Sequence, residues 1–148
     1  MFADPRDYQI VFLATFLGLG ITTRELIKPE LTLVLTITCG LTQLVLNILF
    51  KLTENLELAL KSVLITSLGL ALLLRDDRVS TMILAGTLAI ANKFICTSDD
   101  KHWFNPANFG IIMALLLTSN AWISLGQWGD DWWYLLLFLG FGGIVLRQ

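Results

Sequence analysis

Charged side chains are scarce in this sequence. They make up 15% of 148 residues, against 55% hydrophobic ones, too little charge to clothe an ordinary soluble domain. Basic excess is lacking too. Ten Lys and Arg meet twelve Asp and Glu, which leaves no electrostatic footprint for nucleic acid. Cysteine is limited to Cys39, inside an apolar run, and Cys96, at the end of another. Two unclustered thiols make neither a disulfide framework nor a metal site, so no metal is expected and both read as small buried hydrophobes. The opening MFADPRDYQ is acidic, holds a proline and lacks a small-residue cleavage pattern; no signal peptide is expected.

What the chain has is long apolar runs, at roughly 8–23, 31–50, 58–74, 79–97, 107–125 and 132–146. The middle four approach the roughly 20 residues that cross a bilayer core, and the first and last are shorter. Pro29 precedes the second run, Thr53-Glu54-Asn55 ends it, and Arg75-Asp76-Asp77-Arg78 makes a tight charged turn suited to a helical hairpin. Residues Gly126 to Asp131 divide the last two runs. The expectation is an all-α integral membrane protein, one transmembrane domain over 1–148 with five to six spanning helices. Its surroundings would be the lipid bilayer and other membrane subunits or a second copy of itself.

Alternating helices put Arg6, Lys51, Lys61, Lys93, Lys101 and Arg147 on one side and Arg24, Lys28, Arg75 and Arg78 on the other, a small bias toward a cytoplasmic N-terminus. Trp122, Trp128, Trp132 and Trp133 gather around the last loop as an interfacial belt. Thr32, Thr36, Gly40, Gln43 and Asn47 share one helical face. Such a stripe is either the glue between membrane helices or the wall of a polar pathway or pocket. Thr81, Ala85, Leu88 and Asn92 form a second stripe. The adjacent Lys93, like Lys61, is expected to snorkel toward an interface, with an inward Lys93 as the alternative. Asp76 and Asp77, between two arginines, read as solvated charge.

The ten residues KHWFNPANFG, Lys101 to Gly110, are the polar, helix-disrupting break in this apolar chain. At membrane depth such a break must be buried in protein or line a cavity. Pro106 suits the first turn of a helix with Asn105 as its N-cap. The helix start would then offer N–H groups and a positive dipole to a phosphate, carboxylate or carbonyl oxygen. Asn108 shares the face of Asn105, Gly110 permits close approach, and Lys101 and His102 add positive or titratable charge. An ordinary capped helix behind a solvated loop accounts for the same residues.

The stretches SVLITSLGLALLLR, LAIANKF, KHWFNPANFGIIMALLLT and SLGQWGDDWW resemble the bacterial RnfD/NqrB-like membrane proteins. The likeness is closest to the stand-alone, UnbU-like branch of the RnfD proteins, which are components of RnfABCDGE-type electron transport complexes. It covers most of the chain and is densest from Ser62 to Trp133. It implies one half of a urea-transporter-like fold of two inverted repeats, in a bacterial inner membrane or a cyanobacterial thylakoid or plasma membrane. Members of the family hold flavin, in some cases FMN linked to a threonine of an S-G/A-A-T motif after the NPA segment. Here that region reads TSNAWISLG, so no covalent flavin is expected. The resemblance implies an electron-transport subunit binding flavin or quinone non-covalently around Lys101, His102, Asn105 and Asn108. Gln43, Asn47 and Asn92 would line the inner wall, and no catalytic nucleophile is implied. A small-solute channel or transporter, and a structural subunit of a larger complex, are the alternatives.

Overall fold

All three prolines open helices, where the donor they lack has no intrahelical partner to lose. The computed structural model describes residues 4–24, 27–50, 55–98 and 101–124, with isolated positions between 132 and 143. It contains α1 (Pro5–Arg24), α2 (Pro29–Leu49), α3 (Leu56–Leu73), α4 (Val79–Ile95) and α5 (Pro106–Leu117). Three two-residue strands lie between helices, β1 (Leu74–Arg75), β2 (Thr97–Ser98) and β3 (Lys101–His102), and a fourth, β4 (Trp122–Ile123), follows α5. The architecture is all-α.

The polar stops between apolar runs fix the boundaries through specific bonds. Asp4 Oδ1 accepts from the Arg6 N–H at 2.9 Å and starts α1, so the short first run becomes a helix of 20 residues. Asn55 Oδ1 accepts from the Glu57 N–H at 3.0 Å and starts α3. Lys61 reaches back toward the helix starts and is covered there by protein carboxylates. Its Nζ lies 3.2 Å from Asp4, 2.9 Å from Asp7 and 2.9 Å from Glu57, tying the starts of α1 and α3 together. Lys93 turns inward as well: it is 9% exposed and its Nζ donates to Ser62 Oγ at 2.8 Å, fastening the end of α4 to the first half of α3. Helices α1, α3 and α5 therefore run one way and α2 and α4 the other.

Small residues set the closest approaches. A Cβ at Gly110 would stand 2.6 Å from the Ala85 carbonyl oxygen and 2.8 Å from the Ala89 Cβ, so α5 crosses α4 with backbones nearly touching. Leu35, Cys39, Val63, Leu70, Met82, Ile90, Ile111 and Ala114 fill the core around that crossing. Cys39 and Cys96 are both free thiols, the first fully buried.

Two expected boundaries differ. The fifth apolar run, expected over 107–125, is helical only as far as Leu117. Thr118 takes extended angles (φ −126°, ψ 147°), and the chain continues as β4, antiparallel to β1 with Leu74 opposite Ile123 and Arg75 opposite Trp122. The Ser124 N–H also donates to Leu73 O at 2.9 Å. A backbone bonded sideways to the end of α3 cannot continue a helix. The sixth run, 132–146, lies outside the described residues apart from single helical positions, and Trp128 and Trp133 lie outside them entirely. Among the described residues, α2 and α3 are long and apolar enough to cross a membrane, while α4 and α5 are apolar but shorter.

Candidate functional site

The start of α5 forms as its residue types dictate. Pro106 has no N–H, and Asn105 Oδ1 accepts from the N–H groups of Ala107 (3.0 Å) and Asn108 (3.4 Å). The Phe109 N–H donates to the Asn105 carbonyl at 3.0 Å. The donors expected to receive an anion are thus occupied by the chain's own cap. Asn105 and Asn108 are exposed, as are Trp103 and Phe104. Lys101 and His102 pair through their backbones with Ser98 and Thr97. Their side chains lie outside the described part of the structure.

Asn92 is the inner-wall residue brought to this segment. It is 2% exposed, and its Nδ2 donates to the Phe104 carbonyl at 3.3 Å, while its Oδ1 is buried with no hydrogen-bond partner. Gln43 is buried on α2 and donates through Nε2 to Asn47 Oδ1 at 3.3 Å, one turn along. The inward line of α2 is Leu35, Cys39 and Gln43, with Thr32, Thr36 and Asn47 only partly covered beside it. Thr36 Oγ1 donates to Thr32 O at 2.9 Å and lies 3.4 Å from Ser67 Oγ across the α2–α3 contact. On α4, Thr81, Ala85 and Asn92 are buried and Leu88 is half-buried.

A cleft of about 520 Å³ opens at the other end of α4. Lys28, Leu31 and Leu35 line it from the start of α2, Arg75 and Asp76 from the α3–α4 turn, and Asn120 and Trp122 from the segment after α5. Arg75 and Asp76, read from sequence as part of a solvated turn, are only 9% and 8% exposed. Arg75 donates to the carbonyls of Ala71 (2.7 Å), Leu72 (2.9 Å) and Leu74 (3.0 Å), covering the orphan acceptors at the end of α3. Its Nε is buried without a partner. Burial pushes the guanidinium below its ordinary pKa, and it stays charged.

Burial would push the Asp76 carboxyl up. Hydrogen bonds from Thr81 Oγ1 (2.6 Å) and the Arg78 N–H (3.0 Å) outweigh it and hold the group below its usual range. Asp77 is exposed and meets Lys28 Nζ at 2.6 Å, which raises the lysine. In the amide orientation that satisfies both groups, Asn120 accepts from Arg78 at 2.7 Å (Nη2) and 3.2 Å (Nε). Sequence reasoning missed this site because its walls come from three separated stretches. One signal was present: Arg75 follows the unbroken apolar run SLGLALLL, which places its guanidinium against the end of a buried helix. Among the described residues, no cluster of three or more His, Cys, Asp or Glu could hold a metal ion. No protein-family model, curated protein or solved structure matches the chain.

Proposed function

We propose that the chain is an integral membrane protein and an RnfD/NqrB-like subunit associated with electron transport. The observation that carries the membrane reading is reversed polarity. On α2, Leu33, Ile37, Leu41, Leu44 and Ile48 form an outward stripe, each more than half exposed, while Gln43 faces inward. Thr66, Ser67, Thr81, Asn92 and Lys93 are buried with it. Only 17% of the most apolar window of α2 is buried, which does not suit the core helix of a water-soluble bundle. Lipid accepts such a surface, and water does not.

The redox reading rests on the resemblance carried by KHWFNPANFG and the stretches around it. A flavin or quinone would bind without covalent attachment near Lys101, His102, Asn105 and Asn108. Asn92 Oδ1, a buried acceptor beside Phe104 with no partner, suits a ligand N–H or hydroxyl donor. The test is to purify the protein from membranes in mild detergent, record its visible absorption spectrum and extract bound quinone. A flavin spectrum or stoichiometric quinone supports the reading. Membrane protein carrying neither leaves the location standing and removes the redox role.

A further inference from the structure

The cleft at the start of α4 is lined by more cations than carboxylates. Lys28, Arg75 and Arg78 line it together with Asp76 and Asp77, so three cations outnumber two carboxylates. Both carboxylates are already engaged, Asp77 by Lys28 and Asp76 by Thr81 and the Arg78 N–H. Among the described residues neither arginine has a carboxylate within ion-pair distance. Their partners are neutral oxygens, the α3 carbonyls for Arg75 and the Asn120 amide for Arg78. Arg75 Nε is a buried donor with nothing to bind, a costly state unless an acceptor arrives from outside.

Helix polarity points the same way. At the opposite end, α3 and α5 begin with Asn55 and Asn105, whose side chains cap the free N–H groups. At the cleft end, α2 and α4 begin at Lys28 and Arg78 with no side-chain cap bond. The Asp76 carboxylate already serves the start of α4, so what converges on the cavity is the start of α2, without a side-chain cap, and two guanidinium groups bonded only to neutral oxygens. Its volume of about 520 Å³ exceeds that of a bare anion and falls in the range of small-molecule sites. Leu31, Leu35 and Met82 supply an apolar wall beside the charged mouth.

We infer that this cleft binds a phosphate ester, with the phosphate between Arg75 and Arg78 and the organic part against Leu31, Leu35 and Met82. A tetrahedral phosphate can accept from both guanidinium groups at once. Two sources present this chemistry: the headgroup of an anionic phospholipid and a soluble phosphate monoester. The lipid form rests on the membrane reading; the phosphate chemistry does not.

The experiment uses the purified full chain in phosphatidylcholine nanodiscs, with or without phosphatidylglycerol, read by native mass spectrometry. In a second arm, glycerol 3-phosphate is titrated calorimetrically into the phosphatidylcholine nanodiscs. Retention of phosphatidylglycerol over phosphatidylcholine assigns the lipid source, and saturable glycerol phosphate binding assigns the soluble one. Arg78→Gln, on an exposed side chain, lowers affinity about tenfold in whichever arm binds, and Arg6→Gln, at the far end of the bundle, leaves it unchanged. Arg75→Gln is expected to lower affinity further, and because Arg75 also caps α3, Arg78→Gln decides should that variant fail to fold. Binding in neither arm, or equal losses from Arg78→Gln and Arg6→Gln, overturns the site. If the chain stays out of membranes, the titration run on soluble protein still decides the phosphate chemistry, and the membrane reading fails separately.

Discussion

Among the described glycines, Gly110 is the one where an added methyl group meets the most resistance. Its added Cβ would press on a backbone oxygen of α4 at 2.6 Å, and backbone cannot swing aside as a side-chain tip does. Gly110→Ala should therefore destabilise the bundle by about 1–3 kcal/mol. Gly40→Ala, with nothing within 4 Å of the new carbon, should be neutral or slightly stabilising. Thermal unfolding of the two variants in detergent checks the contrast; equal melting temperatures would remove the close crossing. Asp76 supplies a pH-dependent term. Its carboxyl is held below the ordinary 3.8 in the folded chain, so the folded state binds the proton less readily than the unfolded one. The stabilisation is complete above that ordinary value and is lost as the pH falls through the lower folded one. Asp76→Asn should cost about 1–3 kcal/mol at neutral pH through weakened bonds to Thr81 and the Arg78 N–H. The gap to the wild-type melting temperature should close on acidification below 3.8. A gap that stays constant into acid would show that the carboxylate charge contributes nothing.

Single helices were the most legible level of this sequence. Pro29 and the Asn105-Pro106 pair act locally and start helices where the sequence places them; Pro5 and Asn55, read only as breaks, start α1 and α3 by the same local chemistry. The end of α5 was not legible. The residues AWIS continue the apolar run, and hydropathy does not report that their backbone pairs with Leu74 and Arg75, nearly fifty positions away. The inward turn of Lys93 depends on Ser62 across a helix contact, and the cleft depends on three stretches meeting. The candidate residues around Asn105 were legible as a cap, and the cap yields the next prediction. Asn105→Ala should cost about 1 kcal/mol of stability, whereas Asn105→Asp retains an acceptor at a helix start and should cost little. Measured beside bound flavin or quinone, the pair separates two roles. If Asn105 only caps, ligand content follows stability and Asn105→Asp keeps both; if it contacts a ligand, Asn105→Asp loses ligand while keeping its melting temperature.

For the whole molecule, the deciding quantity is what surrounds the outer face of α2. That helix has 21 residues, about 31 Å at 1.5 Å per residue, which matches the roughly 30 Å hydrocarbon core. Its outward residues repeat at three and four positions, from Leu33 through Ile37, Leu41 and Leu44 to Ile48. Ile37 and Leu41 stand near the middle of this stripe, the depth at which a charge is least tolerated in lipid. Ile37→Arg and Leu41→Arg together should raise the cost of insertion by about 5–7 kcal/mol, taking 2.5–3.5 for each arginine. In water the same changes would replace two exposed aliphatic side chains with charged ones, costing little and improving solubility. The two environments thus predict opposite outcomes for one variant. Membranes from cells expressing the protein, washed with alkaline carbonate, should retain the wild type in the pellet and lose most of the double variant from it. Recovery of both proteins in the soluble fraction, with the double variant at equal or higher yield, would show the apolar stripe facing water and would end the membrane assignment.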